Sequence, residues 1–186
     1  MVIPTGSMEN TLLIGDALFV EKVSYGARVP FTPIGLPFAE LIYRKAYLDQ
    51  PRLPYMRLPG WRKLKQNDIV VFNFPMDSTF NAIDRRDPYV KRLVGMPGDV
   101  IEIDSSVLKV NGKVFQPKKD AKLQEHEENK ISIREDAIYI NGKPTDSYTV
   151  QQDYFWMMGD NRDQSLDARY FGFVPENHIM GRPVLL

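Results

Sequence analysis

Residues able to form covalent bonds or move protons fall in three short stretches. The first, Pro4-Thr5-Gly6-Ser7-Met8, sets a serine directly after a glycine in a polar turn, where neighbouring amide N–H groups can point at the hydroxyl. Alone, a Gly-Ser pair usually marks only a loop. As a nucleophile Ser7 needs a base, and no Gly-x-Ser-x-Gly elbow surrounds it. The chain has 2 histidines. His126 lies in the charged run Gln124-Glu125-His126-Glu127-Glu128, ordinarily a solvated face. A Ser-His-Asp triad is therefore disfavoured, with His178 left open as a base.

The other candidate base is a lysine, which accepts a proton only when its amine is neutral, and neutrality at working pH requires desolvation. Lys91 suits this. It lies in Pro88-Tyr89-Val90-Lys91-Arg92-Leu93-Val94-Gly95, and strand alternation sends Lys91 and Arg92 to opposite faces. One cation can then be buried while the other stays wet. A Lys-Arg pair also suits an edge strand guarded against aggregation. The third stretch runs from Gly159 to Gly172. Its alternating Asp and Arg residues are either simply solvated or a hydrogen-bonded network that keeps a loop rigid. Ser106-x-x-Lys109 matches a spacing used by penicillin-binding proteins on a helix, but here it falls in an expected strand ending in Asn-Gly, which argues against it.

These residues need elements to position them. Gly15-Asp16 and Gly98-Asp99 each precede an apolar run, reading as a turn entering a strand, while Gly159-Asp160 ends Tyr154-Phe155-Trp156-Met157-Met158 as a strand leaving for a loop. Further strands are expected at 69–72, 89–94, 107–110, 137–140 and 179–185. Residues 107–113 and 137–143 echo one another, each an alternating strand ended by Asn-Gly, so two similar hairpins are expected. The polar stretch 118–130 between them has little to bury and reads as an exposed excursion. Helical periodicity is confined to a weak stretch at 38–48 and a turn starting at Pro175-Glu176. The expected body is mostly β, built from coiled antiparallel sheets with little helix. Residues 1–103 and 151–186 form its core, and 104–150 form an inserted β-hairpin subdomain. Within the first part, prolines at 30, 33, 37, 51, 54 and 59 make 27–62 irregular: a surface wrap, or an aromatic and basic apron at a bilayer interface.

Composition narrows the function classes. The 186 residues carry 24 basic and 24 acidic side chains, which argues against a dedicated nucleic-acid binder. With no cysteine, disulfides, thiolate nucleophiles and Cys-based zinc sites are excluded, and two histidines cannot complete a three-histidine site, so no metal is expected. No apolar run approaches the roughly 18–20 residues needed to span a bilayer.

Taken together, Pro4-Thr5-Gly6-Ser7-Met8 with Thr11-Leu12 and Gly15-Asp16, then Tyr89-Val90-Lys91-Arg92 with Gly95-x-Pro97-Gly98-Asp99, then Gly159-Asp160-Asn161-Arg162 with Ser165, Asp167 and Arg169, resemble the successive signature boxes of bacterial type I signal peptidases. The match is clear over 1–25, 65–103 and 150–186. The resemblance implies a Ser-Lys endopeptidase that needs no cofactor and removes signal peptides from exported preproteins after small residues of the Ala-x-Ala type. Ser7 would be the nucleophile, Lys91 the general base, and Thr5 with the Ser7 N–H the oxyanion hole. Ser165 would hydrogen-bond and orient Lys91, while Asp160, Asn161, Arg162, Asp167 and Arg169 would brace the loop. The substrate would bind as an extended strand beside Ile3, Pro4, Met8, Tyr89 and Val90. The implied location is the outer face of the bacterial inner membrane, with a membrane surface as partner. The anchor that precedes the first box in the family is absent here, which suggests a trimmed portion. Asn10 stands where the family usually has proline, Gln164 where asparagine is common and Ala168 where serine is common. A self-cleaving repressor-type peptidase resembles the same dyad and core, but no helix-turn-helix pattern accompanies it. An inactive β-rich binding module is the non-enzymatic alternative.

Overall fold

A computed structural model describes residues 1–32, 48, 50–77, 79, 82–104, 107–115, 138–140, 143–145, 147–149 and 154–185. In chain order the strands are β1 (Leu18–Glu21), β2 (Ile69–Asn73), β3 (Pro88–Gly95), β4 (Val100–Asp104), β5 (Val107–Val110), β6 (Lys113–Val114), β7 (Ile138–Ile140), β8 (Lys143–Thr145), β9 (Ser147–Thr149), β10 (Tyr154–Met158), β11 (Val174–Pro175) and β12 (Ile179–Leu185). One short helix, α1 (Ala168–Phe171), lies among them. The protein is mostly β, as the sequence predicts. The main sheet has the order β1-β12-β2-β3-β10-β11, and every pairing in it is antiparallel.

The near-continuous apolar run of β2 follows from cover on both faces. Val70 and Phe72 enter one core with Leu93, Trp156 and Phe171, while Val71 enters a second with Ile3, Met8, Leu12, Leu18 and Val90. β3 lies between β2 and β10, and its Lys-Arg pair straddles the point where the second neighbour begins: Arg92 is paired on both sides and Lys91 on the β2 side.

One turn design feeds three strands. Before β1 and β4, Gly15 and Gly98 take φ of 93° and 90°, and the following aspartate turns back to accept the amide three residues earlier: Leu13 N–H to Asp16 at 2.9 Å and Met96 N–H to Asp99 at 2.9 Å. Before β2 the same turn recurs with Asn67 at φ 74° in the glycine position and Lys65 N–H donating to Asp68 at 3.0 Å. The Gly-Asp pattern found the first two. The third was hidden because asparagine replaces glycine, a substitution the left-handed region tolerates.

The second sheet has the order β6-β5-β4-β9, and β7 pairs with β8 apart from it. Asn111 and Gly112 close the β5–β6 hairpin at φ 52° and 73°, the left-handed pair that a two-residue hairpin turn requires. The turn expected at Pro175-Glu176 is a 3-10 turn, Glu176–His178. α1 was not anticipated, although its signals are local: the Asp167 carboxylate caps its start and Gly172, at φ 76°, follows its end. The stretch 118–130 with His126, Ser106, and 38–47 of the weak helical stretch lie outside the described residues. Among the described residues no helix is long and apolar enough to cross a membrane.

Asn67→Val is expected to be less stable than Asn67→Gly by about 1–2 kcal/mol, because a β-branched residue is strained at positive φ and glycine is not. Urea denaturation of the two variants checks this.

Candidate active site

Ser7 occupies a 3-10 turn, Gly6–Met8, entered from an extended Thr5. The turn is held from below and from the side. The Met8 side chain is buried with Ile3, Leu12 and Val90, and the Met8 carbonyl accepts the amides of Thr11 and Leu12 at 3.0 and 2.8 Å. Asn10 takes φ 80°, which an asparagine tolerates and a proline ring forbids. The Thr5 hydroxyl oxygen stands 3.5 Å from Ser7 Oγ.

Lys91 meets the serine from β3. Its Nζ donates to Ser7 Oγ at 2.7 Å, and the side chain is only 4% exposed. It also lies 5.6 Å from the centre of the Tyr89 ring, on the same face of the strand. Burial drives its pKa from the ordinary lysine value of 10.5 down to about 8, against the opposing pull of Asp167 and then Asp160. About a tenth of the amine is therefore neutral at pH 7 and about half at pH 8, and a neutral amine at this distance can take the serine proton.

Arg92 does point to the opposite face, but the expectation that one of the two cations stays wet is wrong. Arg92 is 1% exposed, because Asp160 supplies a bidentate partner: Nε to Oδ1 at 2.8 Å and Nη2 to Oδ2 at 2.7 Å. Nη1 also donates to the Asn67 carbonyl at 2.9 Å and Nη2 to the Thr11 hydroxyl at 3.0 Å, and Thr11 donates in turn to Asp160. The two cations thus address the same turn from both faces of β3, Lys91 at the serine and Arg92 at the residue four positions later. The Thr11 and Asp160 boxes were the signal that Arg92 too had buried partners.

After β10, Asp167, Arg169 and Arg162 form one connected network around Gly159. The fully buried Asp167 accepts from Gly159 N–H at 3.0 Å and from Arg169 Nε at 2.8 Å and Nη2 at 3.1 Å. Arg169 Nη2 also reaches the Arg162 carbonyl at 2.6 Å, and Arg162 Nε reaches the Gly159 carbonyl at 2.9 Å. Asn161 ties this loop to the serine turn, with N–H to the Ser7 carbonyl at 3.2 Å and Nδ2 to Glu9 Oε2 at 2.9 Å. Gly159 has no alternative: a Cβ there would collide with Ser165 and stand 2.5 Å from the Ser7 carbonyl oxygen. Ser165 departs from expectation. Its buried Oγ has no hydrogen-bond partner among the described residues, so the bond to Lys91 is not formed; the side chain is instead turned against Gly159.

His178, left open as a base, is buried and engaged elsewhere, with Nδ1 2.7 Å from Asn177 Oδ1 and Nε2 3.4 Å from Arg86. Burial, helped by Arg86 and Arg28, pushes its pKa down to about 4. It does not line the cleft that holds Ser7.

That cleft, of about 420 Å³, is lined by Ser7, Lys91 and Thr5 and by all five residues expected to contact a peptide: Ile3, Pro4, Met8, Tyr89 and Val90. Gln164 and Leu166 line it as well, which sequence reasoning had not assigned. β3 borders the cleft with an unoccupied edge. β2 pairs with it from Pro88 to Arg92, whereas on the other side β10 pairs only from Arg92 to Gly95. Among the described residues, no strand pairs with Pro88 to Lys91 on the β10 side.

A family model described as signal peptidase, peptidase S26, matches residues 1–186. The chain is 32% identical to signal peptidase I of Buchnera aphidicola subsp. Schizaphis graminum, covering 97% of this chain and 64% of that protein. It is 30% identical to signal peptidase I of Pseudomonas fluorescens, covering 97% and 61% respectively. The crystal structure of a signal peptidase I from Enterococcus faecalis V583 aligns with TM-score 0.43 and 24% identity, over 65% of this chain and 97% of that one. The chain spans less than two thirds of the length of these curated relatives.

The depressed pKa of Lys91 has a thermodynamic counterpart. Below about pH 8 the folded protein holds a buried charge that the unfolded chain keeps hydrated, and this penalty fades as pH rises towards 10.5. Lys91→Met is therefore expected to be more stable than the parent at pH 7 by about 1–3 kcal/mol, with the gap shrinking above pH 8. Paired urea denaturation curves at pH 7 and pH 10 test it; a Met variant less stable at pH 7 contradicts the buried-charge account.

Proposed function

The chain belongs to the signal peptidase, peptidase S26, family, and on that premise we propose that it is a Ser-Lys endopeptidase removing signal peptides from exported preproteins. The observation that carries this reading is the 2.7 Å contact between Lys91 Nζ and Ser7 Oγ, both in buried residues.

In this mechanism neutral Lys91 takes the Ser7 proton as Oγ attacks the scissile carbonyl. The resulting ammonium gives that proton to the leaving amine, and an ester to Ser7 remains. Lys91 then deprotonates a water that hydrolyses the ester and restores the serine. Negative charge on the carbonyl oxygen would be met by the Ser7 N–H and the Thr5 hydroxyl, donors fixed before the reaction starts. The Asp160, Asn161, Arg162, Asp167 and Arg169 network keeps its role as a brace. It holds the serine turn against β3, and a shift of about 1 Å there could cost about a hundredfold in rate.

The substrate is an extended segment that adds to the open edge of β3 at Pro88 to Lys91, giving backbone hydrogen bonds without regard to sequence. Selectivity for small residues before the cut comes from the narrow apolar lining, whose floor of Ile3, Met8 and Val90 is buried and cannot retreat. The proposed place of action is the outer face of the bacterial inner membrane. Exposed apolar side chains of the Pro-rich segment, Leu53, Met56, Leu58 and Trp61, are suited to meet lipid there.

A preprotein bearing alanines at the first and third positions before the cut tests the reaction. Ser7→Ala, Lys91→Ala and Lys91→Arg should each lower kcat by at least about a thousandfold, the arginine because guanidinium keeps its proton. For the parent, kcat/KM should rise with pH, pass half its limiting value near pH 8 and level off above it, following loss of the Lys91 proton. Ordinary turnover by any of the three variants, or a rate independent of pH between 6 and 9, would refute the dyad.

A further inference from the structure

A cleft selects by size only if its walls cannot move back, and one wall here has a built support. Tyr89 lines the cleft and is only partly buried, so its ring would be free to swing outward if the space behind it were open. That space is filled. The Phe74 ring stacks on Tyr89 with centroids 4.5 Å apart and planes 11° from parallel. Phe74 is in turn met edge-on by Phe171 of α1 at 5.4 Å and 87°. Phe72, fully buried and directly opposite Tyr89 in the β2–β3 register, packs against both Tyr89 and Phe171 at 6.4 and 6.1 Å. The backbone is pinned at the same place, since Phe74 N–H donates to the Asp87 carbonyl at 2.9 Å.

We propose that Phe74, held by Phe171, is a positioning residue that fixes the Tyr89 ring as a rigid wall and thereby sets the size limit for the substrate residue immediately before the cut. The residue concerned follows from the geometry: the Tyr89 ring centre lies 5.6 Å from Lys91 Nζ, itself bonded to Ser7 Oγ, so this wall borders the reacting centre. Phe171 lies two residues beyond Arg169, so the segment that braces the serine turn also supports the specificity wall. Nothing in the stack touches the reacting atoms except through Tyr89. Its effect is on which acyl group fits, because a ring able to retreat would admit a side chain one or two methylenes larger. The inference rests on the endopeptidase reading above.

The test is a competition in one tube between two preproteins that differ only in the residue before the cut, alanine or valine. The product ratio gives the ratio of their kcat/KM values and does not depend on how much enzyme is folded. Phe74→Ala and the milder Phe74→Leu should shift this ratio towards valine by about tenfold or more, Phe171→Leu should shift it less in the same direction, and Phe74→Tyr should keep the parent ratio. A Phe74→Leu ratio within twofold of the parent overturns the proposal. A parent enzyme that cuts the alanine substrate normally leaves the endopeptidase reading standing in that case, whereas a parent that cuts neither substrate refutes that reading itself.

Discussion

The structure depends on keeping one amine out of water. Lys91 is useful to Ser7 only when uncharged, and burial is the force that removes its proton, bringing its pKa to about 8. Two carboxylates, Asp160 and Asp167, oppose this, and each could have undone it. Both are already committed: Asp160 forms a bidentate pair with Arg92, and Asp167 does so with Arg169. Their pull on the amine is nevertheless smaller than the effect of burial, so desolvation wins. The buried ion pairs hold the loop in place.

β3 organises this balance. Alternation along one strand gives Tyr89 and Lys91 to one face and Val90 and Arg92 to the other. In the proposed mechanism the first pair supplies a wall and a base; the second supplies a floor and an anchor. Since β10 pairs with the strand only from Arg92 onward, the same strand is inside the sheet at one end and available to a peptide at the other. The serine turn needs support from two directions, and receives it from the Met8 core below and from the Asn161 and Gly159 contacts at its side.

Much of this was legible in the sequence. The β2, β3, β10 and β12 cores stood out because apolar runs bounded by Gly, Pro and Asp have few other readings, and the Ser7 and Lys91 candidates followed from the lack of a usable histidine. What could not be read was pairwise. Strand alternation separated Lys91 from Arg92 but could not say that Arg92 would find a buried carboxylate 68 residues away. Ser165 was placed in the right loop, yet the direction of its hydroxyl depends on the close approach of Gly159. The Asn67 turn was missed because its signal differs from Gly-Asp by one residue type, and the aromatic stack behind Tyr89 was missed because it joins residues from three separate segments.

The most direct measurement is titration of the Lys91 amine itself, by nuclear magnetic resonance with nitrogen-15 at its Nζ, in the intact protein. A transition near pH 8 is expected. A Lys91 signal that stays protonated up to its ordinary value near 10.5 would contradict the account, since no neutral base would then stand beside Ser7 at working pH.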